Sequence, residues 1–267
     1  MTDGTDRVRV EHHDGVAEVR MVRADKHNGL DHPMLEALLA AGQGLLNDPS
    51  LRAVVISGEG PSFCAGLDFA SFMRSGIDIA AMLRAQEDSP ANYVQRVAWI
   101  WREVPVPVIA ALHGHVYGGG LQLALAADLR YVAADAKLAV REIYWGLVPD
   151  MSGTQTLRDL VRLDVAKELT YTGRAVSGED AVAMGLATRV EADPRAAALA
   201  VARDIAGRSP DAIRGSKRLL DGSTTGSLED GLRLEEEIQR TIIGKPNQLE
   251  AVAAGMSKRA PKFRDPG

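Results

Sequence analysis

Three consecutive glycines, Gly118 to Gly120, stand in the stretch GHVYGGGLQLALAADLRYV (114–132) of this 267-residue chain. An apolar run, PVIAAL (107–112), precedes them, and a segment with helical character follows. Adjacent glycines weaken a strand or a helix, so the absence of side chains at these three positions must have a structural or functional reason. The pattern predicts a buried strand that turns sharply into a helix and leaves backbone amides accessible.

A second segment has the same plan. The buried strand LRAVVISG (51–58) leads through the loop EGPSFCAGLDF to another predicted helix. A helix N-terminus leaves amides unpaired and carries partial positive charge, which suits an anion or a developing oxyanion. Two such turns facing one point would give two amides to one carbonyl oxygen. The alternative is that the glycines only permit tight turns and close helix packing.

The composition excludes several kinds of protein. Hydrophobic residues make up 46% and charged residues 25%, which is enough for a large core. The net charge of −5, with interspersed signs, argues against a nucleic-acid partner. A single cysteine, Cys64, excludes an internal disulfide, and no Cys/His cluster has the spacing of a metal site. With no signal-peptide pattern and no membrane-spanning apolar run, we expect a cytoplasmic protein with no membrane partner.

The periodicity of the chain predicts a mixed α/β fold. Alternation around Asp14-Gly15 predicts a hairpin over 8–22, and helical spacing predicts a helix over 32–46. Strands and helices then alternate, whereas from Pro194 onward almost every segment has helical spacing. We therefore predict an α/β core with the ligand site over residues 1–194 and a helical region over 195–267.

Four segments, in this order, resemble the enoyl-CoA hydratase/isomerase (crotonase) family: ADKHNGLD, SGEGPSFCAGLDF, the stretch from PVIAAL to SGTQTL, and the terminal KRAPKF. The resemblance covers essentially the whole chain. It implies a crotonase-like spiral of ββα units followed by a C-terminal helical trimerisation region, and hence a homotrimer or a dimer of trimers. It also implies an acyl-CoA thioester substrate, with no cofactor beyond the coenzyme A that is part of that substrate.

The resemblance also assigns binding residues by position. Two backbone N–H groups, of Leu67 and Gly119, correspond to the hole that stabilises a thioester enolate. The positions that correspond to substrate and CoA contacts, or flank them, are Lys26, His27, Ala65, Gly66, Asp68, Gly118 and Lys258. Lys258 corresponds to a basic residue that reaches the CoA of a neighbouring subunit, although Gly255 stands where an aromatic residue often precedes it.

Proton transfer needs ionisable groups, and two acids remain at the relevant positions. Family hydratases use two glutamates; the first position here is Gln122, which can only orient a water or a thioester by hydrogen bonds. The second is Glu142. Asp150, eight residues later, matches the second acid of the family's dienoyl-CoA isomerases, which carry an aspartate at the position of Gln122. Glu142 and Asp150 together favour double-bond isomerisation, with two acids of separated pKa.

Each of these assignments has an alternative. Glu142 could be a solvated surface acid or pair with Arg141. Asp150 could be the N-cap of the helix TQTLRDLVR. The whole chain could hydrate a 2-enoyl-CoA with Glu142 alone, or bind acyl-CoA without turnover.

Other reactive side chains have simpler interpretations. Cys64 is either a nucleophile or, because no base stands beside it, a small buried thiol. His113 and His115 flank Gly114 near the glycine turn, where packing or a backbone hydrogen bond is the more common role than catalysis. Trp99 and Trp101 correspond to the family's acyl pocket but also have the spacing of core residues.

Overall fold

The first two strands of the fold form an antiparallel hairpin. We describe the fold from a computed structural model over residues 7–76, 78–84, 89–224 and 226–266. The predicted turn at Asp14-Gly15 is confirmed, and both residues have positive φ, 50° and 79°. The helices and strands of these ranges are β1 (Val8–His13), β2 (Val16–Met21), α1 (His32–Leu46), β3 (Ala53–Gly58), α2 (Phe69–Ser75), α3 (Ile79–Met82), α4 (Tyr93–Glu103), β4 (Val108–Leu112), β5 (His115–Tyr117), α5 (Gly119–Leu125), β6 (Leu129–Val132), β7 (Lys137–Ala139), α6 (Gly153–Leu160), α7 (Leu163–Thr172), β8 (Val176–Ser177), α8 (Gly178–Ala183), β9 (Arg189–Val190), α9 (Pro194–Ala206), α10 (Pro210–Ser223), α11 (Leu228–Ile242) and α12 (Pro246–Met256). Short 3₁₀ helices occupy Ala24–Lys26 and Glu142–Trp145.

The strands form two sheets. The larger sheet has the order β1-β2-β3-β4-β6-β9 and is parallel from β2 onward. The smaller sheet has the order β5-β7-β8. Successive strands therefore alternate between the sheets: β4 is followed by β5 and then α5, and β6 by β7 and later α6. This arrangement brings the loop after β3 and the turn after β5 to one region of the molecule.

The larger sheet is covered on both faces. Every residue of β3 and of β4 is buried, as expected for central parallel strands. On one face α1 and α4 pack together over a large apolar cluster that includes Leu38, Ile56 and Trp101. On the other face α9 packs through Ala198 and Ala202. The loop after β3 therefore leaves a strand that is buried on both faces.

Local sequence features mark the ends of helices in several places. The Asp31 carboxylate accepts a hydrogen bond from the Met34 N–H at the start of α1, and Pro33 lies in the first turn. Helix α7 ends at Gly173, whose φ is 60°. Helix α3, which lies between α2 and α4, is a single turn. That region also contains residues 77 and 85–88, which lie outside the described residues.

The C-terminal helices are joined to the sheet by a buried cation. The Lys217 ammonium on α10 donates to the Asp128 carboxylate (2.8 Å) and to the Val106 carbonyl (3.1 Å). Beyond α10, the helices α11 and α12 expose the large apolar side chains Leu228, Leu232, Leu249, Val252 and Met256. The boundary at residue 195 and the assembly of this region into trimers stay predictions.

Candidate active site

The two predicted glycine turns lie against each other. The Cys64 N–H donates to the His115 carbonyl (3.0 Å), and the Tyr117 N–H donates to the Cys64 carbonyl (3.0 Å). Gly66 has a φ of 90°, and a β-carbon there would stand 2.8 Å from the Tyr117 carbonyl oxygen. A β-carbon at Gly120 would stand 2.6 Å from the Cys64 carbonyl oxygen. Backbone contact between the turns therefore requires glycine at both positions.

Neither of the two predicted N–H donors has an acceptor in the part of the protein that the structure describes. Among the hydrogen bonds of the described residues, none uses the N–H of Leu67 or of Gly119 as its donor. The flanking amides are occupied: the Asp68 N–H donates to Leu30 and the Gly118 N–H donates to Ala139, both at 2.9 Å. The Leu67 and Gly119 amides are therefore available to a ligand oxygen.

An internal ion pair holds the Leu67 turn in place. The Arg23 guanidinium donates to the Asp68 carboxylate (2.8 Å) and to the Gly29 carbonyl (2.9 Å). Asp68 also caps α2 by accepting from the Ser71 N–H (3.0 Å). Burial alone raises the pKa of Asp68, but the hydrogen bonds from Ser71 and Arg23 outweigh it and lower that pKa to about 2. The predicted ligand residue Asp68 thus makes structural contacts, and Arg23 is a supporting residue that the sequence pattern did not indicate.

Glu142 is buried beside the second turn. It opens the 3₁₀ helix Glu142–Trp145, and its side chain is 8% exposed. The Oε1 atom accepts a hydrogen bond from Gln122 Nε2 (2.6 Å), whereas Oε2 is buried and has no partner among the described residues. Oε1 lies 3.4 Å from the place that a β-carbon of Gly118 would occupy. A carboxylate therefore adjoins the turn that carries the free Gly119 amide.

The surroundings of Glu142 favour its protonated form. Burial is the main cause of its raised pKa, and the charge of Asp150 adds to the effect, while the hydrogen bond from Gln122 opposes it. Arg141 does not pair with it: the guanidinium donates to the Gly173 carbonyl (3.1 Å) and lies over the Tyr144 ring at 4.1 Å. The alternative of a solvated or Arg141-paired surface acid is wrong.

Gln122 connects α5 to the start of α6. Its side chain is 2% exposed, and Oε1 accepts hydrogen bonds from the N–H groups of Met151 (2.8 Å) and Gly153 (3.0 Å). Gly153 leaves room for this amide, because a β-carbon there would stand 2.6 Å from Gln122 Oε1. Ser152, at the N-cap position, makes no capping hydrogen bond with its side chain. The amide of Gln122 therefore caps α6.

Asp150 does not have the capping role that was its alternative interpretation. Helix α6 begins at Gly153, three residues further on, and the N–H of Gly153 donates to Gln122. The Asp150 side chain is exposed, yet the surrounding protein raises its pKa by desolvation. Because its charge acts on Glu142 and its neighbour Met151 is bonded to Gln122, Asp150 lies on the same side of the structure as Glu142.

The predicted CoA-contact segment adjoins the first turn. The Ala65 N–H donates to the His27 carbonyl (2.9 Å), so residues 26–27 lie alongside Ala65. Lys26 and His27 are exposed, and His27 has a φ of 49°. In the described ranges no hydrogen bond or ion pair joins Lys258 to either glycine turn, so its contact with a neighbouring subunit's CoA stays a prediction.

The sequence analysis did not identify an aromatic pair that lies at the site. The rings of Phe69 and Trp145 lie 4.3 Å apart between centroids, joining α2 to the 3₁₀ helix of Glu142. Trp145 is 62% exposed, although it stands only three residues after a buried acid. In the sequence, the available signal was a tryptophan three residues after a predicted catalytic residue. Trp101, in contrast, is fully buried in the core, as its helical spacing indicated.

The remaining reactive side chains make packing contacts. Cys64 is buried, its Sγ donates to the Asn28 carbonyl (3.0 Å), and burial raises the pKa of the thiol to about 12, which excludes it as a nucleophile at neutral pH. The His113 Nε2 lies 2.9 Å from the Gly60 carbonyl oxygen. The His115 Nδ1 lies 3.3 Å from Ser62 Oγ.

The described part of the chain contains no group of three or more His, Cys, Asp or Glu side chains that could hold a metal ion. None of its helices is both long enough and apolar enough to cross a membrane.

A model of the enoyl-CoA hydratase/isomerase family matches residues 11–266. The chain belongs to the enoyl-CoA hydratase/isomerase family. Its similarity to the crystal structure of an enoyl-CoA hydratase from Bacillus anthracis has a TM-score of 0.88 at 28% identity, and it covers 98% of this chain and 100% of that chain. The predicted crotonase-like α/β fold is thereby confirmed.

Curated members of the family with similar sequences have both hydratase and isomerase names. The chain is 34% identical to enoyl-CoA hydratase domain-containing protein 2 of Bos taurus, over 93% of this chain and 84% of that protein. It is 32% identical to the delta(3,5)-delta(2,4)-dienoyl-CoA isomerase of Mus musculus, over 92% of this chain and 78% of that protein. Enoyl-CoA hydratase/isomerase relatives thus establish the family but leave both reactions in consideration.

Proposed function

We propose that this family member is an acyl-CoA enzyme that isomerises a double bond through a thioester enolate. The observation that carries the proposal is the pairing of two unused amides, of Leu67 and Gly119, with the buried and unpartnered Oε2 of Glu142. Two N–H groups that donate to a thioester oxygen stabilise the negative charge that develops there. One such donor lowers the activation barrier by about 3 kcal/mol. A protein that binds acyl-CoA without turnover does not need a buried acid beside these two amides.

Glu142 would be the main proton-transfer residue. Its carboxylate adjoins Gly118, next to the amide that would hold the thioester oxygen, so the α-carbon is the substrate atom it would serve. Ionised Glu142 would take a proton from the α-carbon, and the electron pair of the broken C–H bond would pass to the thioester oxygen. The raised pKa of Glu142 brings it nearer to the pH at which a base works best.

Asp150 would be the second acid. Its carboxyl also has a raised pKa, and it lies on the loop fixed to Gln122. For a 3,5-dienoyl-CoA, loss of the C2 proton gives a conjugated trienolate, and a proton added at C6 gives the 2,4-dienoyl-CoA. Atoms and electrons then balance with no cofactor, since one acid accepts a proton and the other supplies one.

Hydration of a 2-enoyl-CoA is the second candidate function. The observation in its favour is that Glu142 has one free oxygen, which could position a water and later return the α-proton. Against it, position 122 holds an amide whose carbonyl oxygen already accepts two protein hydrogen bonds, so a second base is missing there. We therefore rank isomerisation first.

The experiment that tests the proposal is exchange of the α-protons of hexanoyl-CoA in deuterated water. This saturated thioester cannot be hydrated or isomerised, so label at C2 reports enolate formation alone. Incorporation catalysed by the protein supports the proposal, and binding without label would contradict it. Assays with a 2-enoyl, a 3-enoyl and a 3,5-dienoyl-CoA then rank the two reactions.

We further propose that the exposed apolar residues of α11 and α12 join subunits into a homotrimer or a dimer of trimers.

A further inference from the structure

The hydrogen bonds of Gln122 determine the orientation of its amide. Both groups that approach Oε1, the N–H of Met151 and the N–H of Gly153, can only donate. The oxygen of the amide must therefore face them, and a flipped amide would set donor against donor. The –NH₂ group then has to face Glu142, where it lies 2.6 Å from Oε1.

This orientation distinguishes the two oxygens of Glu142. Because Oε1 accepts an N–H from Gln122, it is not the oxygen that carries the carboxyl proton. Oε2 is the remaining atom, and it is buried without a hydrogen-bond partner in the described structure. A proton that arrives at or leaves Glu142 therefore does so at Oε2.

The same amide also positions the backbone that carries Asp150. Met151, whose N–H it accepts, follows Asp150 directly, and Gly153 is the first residue of α6. One buried side chain thus contacts the elements that bear both candidate acids. A water or thioester would have to displace one of these protein bonds to reach the Gln122 carbonyl.

We propose that Gln122 is a positioning residue, which presents Oε2 of Glu142 for proton transfer and fixes the segment of Asp150 without contacting the substrate. This inference rests on the proposed function of Glu142. It replaces the expectation that Gln122 orients a water or a thioester. The amide also keeps a second charge away from Oε1 of Glu142: a carboxylate at position 122 would place two like charges within hydrogen-bond distance.

Few other charges face Glu142. Helix α5, which carries Gln122, contains no charged residue. Asp150 is the described charged group whose field raises the pKa of Glu142, and Arg141 directs its guanidinium to Gly173 and the tyrosine rings. Helix α7 packs against the 3₁₀ helix of Glu142, and its charged residues are all exposed: Asp164, Lys167 and Glu168. The pKa of Glu142 is therefore raised mainly by burial and further by Asp150, and it is lowered by the backbone N–H groups of Glu142 and Arg141 and by Gln122.

Two variants test the role. Gln122→Met has a similar volume but neither accepts from α6 nor donates to Glu142. Gln122→Glu retains an oxygen for the Met151 and Gly153 amides but offers Glu142 a donor only when protonated. For each we would measure the pH profile of α-proton exchange, the titration of the Glu142 carboxyl carbon by ¹³C NMR with Glu142→Gln as the assignment reference, and the melting temperature.

The proposal predicts different outcomes for the two variants. In Gln122→Met the pKa of Glu142 rises, since a donor to its ionised form is lost, and exchange at neutral pH falls ~10-fold or more. In Gln122→Glu the two carboxyls titrate as a coupled pair. Exchange then exceeds that of Gln122→Met at pH values where the pair holds one proton.

Other results would overturn it. One such result is that both variants have a lower melting temperature, while the acid limb of their exchange pH profile and the titration of Glu142 match the wild type. Gln122 is then merely a helix cap. If Gln122→Met fails to fold, an unshifted Glu142 titration in Gln122→Glu leads to the same conclusion. Absence of exchange by the wild-type protein would instead refute the proposed function, and the ¹³C titration would still report whether Gln122 acts on Glu142.

Discussion

The Oε1 atom of Glu142 lies 3.4 Å from the position that a β-carbon of Gly118 would occupy. Gly118 has a φ of 51° and immediately precedes the Gly119 amide, which has no protein acceptor among the described residues. A desolvated acid and an unused donor therefore border the same small space. Because Oε2 of the same carboxyl group has no partner among the described residues, this proximity suits removal of a proton next to a thioester carbonyl.

Substitution of Gly66 by alanine should impair the reaction more than the fold. A β-carbon at this position, where φ is 90°, would stand 2.8 Å from the Tyr117 carbonyl and displace the Leu67 amide. We expect kcat for isomerisation to fall about 100-fold, the effect of one lost oxyanion donor. Gly76→Ala is the control for the positive φ alone, because its φ is 65° and no described atom lies within 4 Å of the added carbon. Gly76→Ala should cost about 1 kcal/mol of stability, and Gly66→Ala should cost more, because its β-carbon also meets a backbone oxygen. Equal activity in the two variants would refute the role of Leu67.

Glu142→Gln should remove turnover and retain binding of the thioester. The amide keeps the volume of the carboxylate but cannot accept the α-proton at Oε2, so we expect exchange to fall about 1,000-fold. Calorimetric titration with hexanoyl-CoA should give a dissociation constant near that of the wild type. Glu179→Gln, an exposed acid on α8, is the control and should behave as the wild type. Exchange that survives in Glu142→Gln would mean that another group moves the proton.

Asp150→Asn should separate the two candidate reactions. If Asp150 supplies the distal proton, isomerisation of a 3,5-dienoyl-CoA falls about 100-fold, whereas hydration of a 2-enoyl-CoA changes little. Asp135→Asn, at an exposed turn away from the acids, serves as the comparison. Small and equal losses in both reactions would remove Asp150 from the chemistry.

The site also predicts a particular pH dependence. Burial first, and the charge of Asp150 second, raise the pKa of Glu142 above its ordinary value of 4.5. The base form is lost as the pH falls through this raised pKa, so the acid limb of the exchange rate should have its midpoint above 4.5. In Asp150→Asn a negative charge is absent, and the midpoint should move to lower pH. A midpoint unchanged by that substitution would show that the two carboxyls do not interact.

Several features of this molecule could be predicted because their causes are local. Asp14-Gly15 sets the hairpin through backbone conformation, and Asp31 with Pro33 starts α1 through capping. The glycine turns were also visible, because a buried strand that ends in glycines has few alternatives. The family resemblance supplied the positions of Leu67, Gly119 and Glu142, and the structure adds their contacts.

Other features could not be predicted, since they depend on contacts between distant segments. Gln122 caps a helix that begins at Gly153, and no local rule indicates which side chain will satisfy those amides. The sequence position of Asp150 is therefore typical of an N-cap residue, although Gln122 has that role in the structure. The contact of Phe69 with Trp145 likewise depends on how α2 packs against the 3₁₀ helix of Glu142.

The attachment of the helical region can be tested through Lys217. Lys217→Met leaves the Asp128 carboxylate, which is 26% exposed, without its cation and removes the bond to Val106. We expect a loss of about 3 kcal/mol in the free energy of unfolding by urea, at the low end for a broken buried pair. Arg218→Met breaks a neighbouring exposed pair with Glu237 and should cost under about 0.5 kcal/mol. Similar values for both would show that Lys217 does not anchor α10.

The most direct test of the account is the infrared stretching frequency of a thioester carbonyl bound to the protein. With crotonyl-CoA labelled by ¹³C at that carbon, two N–H donors should polarise the C=O bond and lower its frequency relative to the ester in water. We predict this shift in the wild type and in Glu142→Gln, and a smaller shift in Gly66→Ala. A bound carbonyl with an unshifted frequency in the wild type would contradict the role of the Leu67 and Gly119 amides.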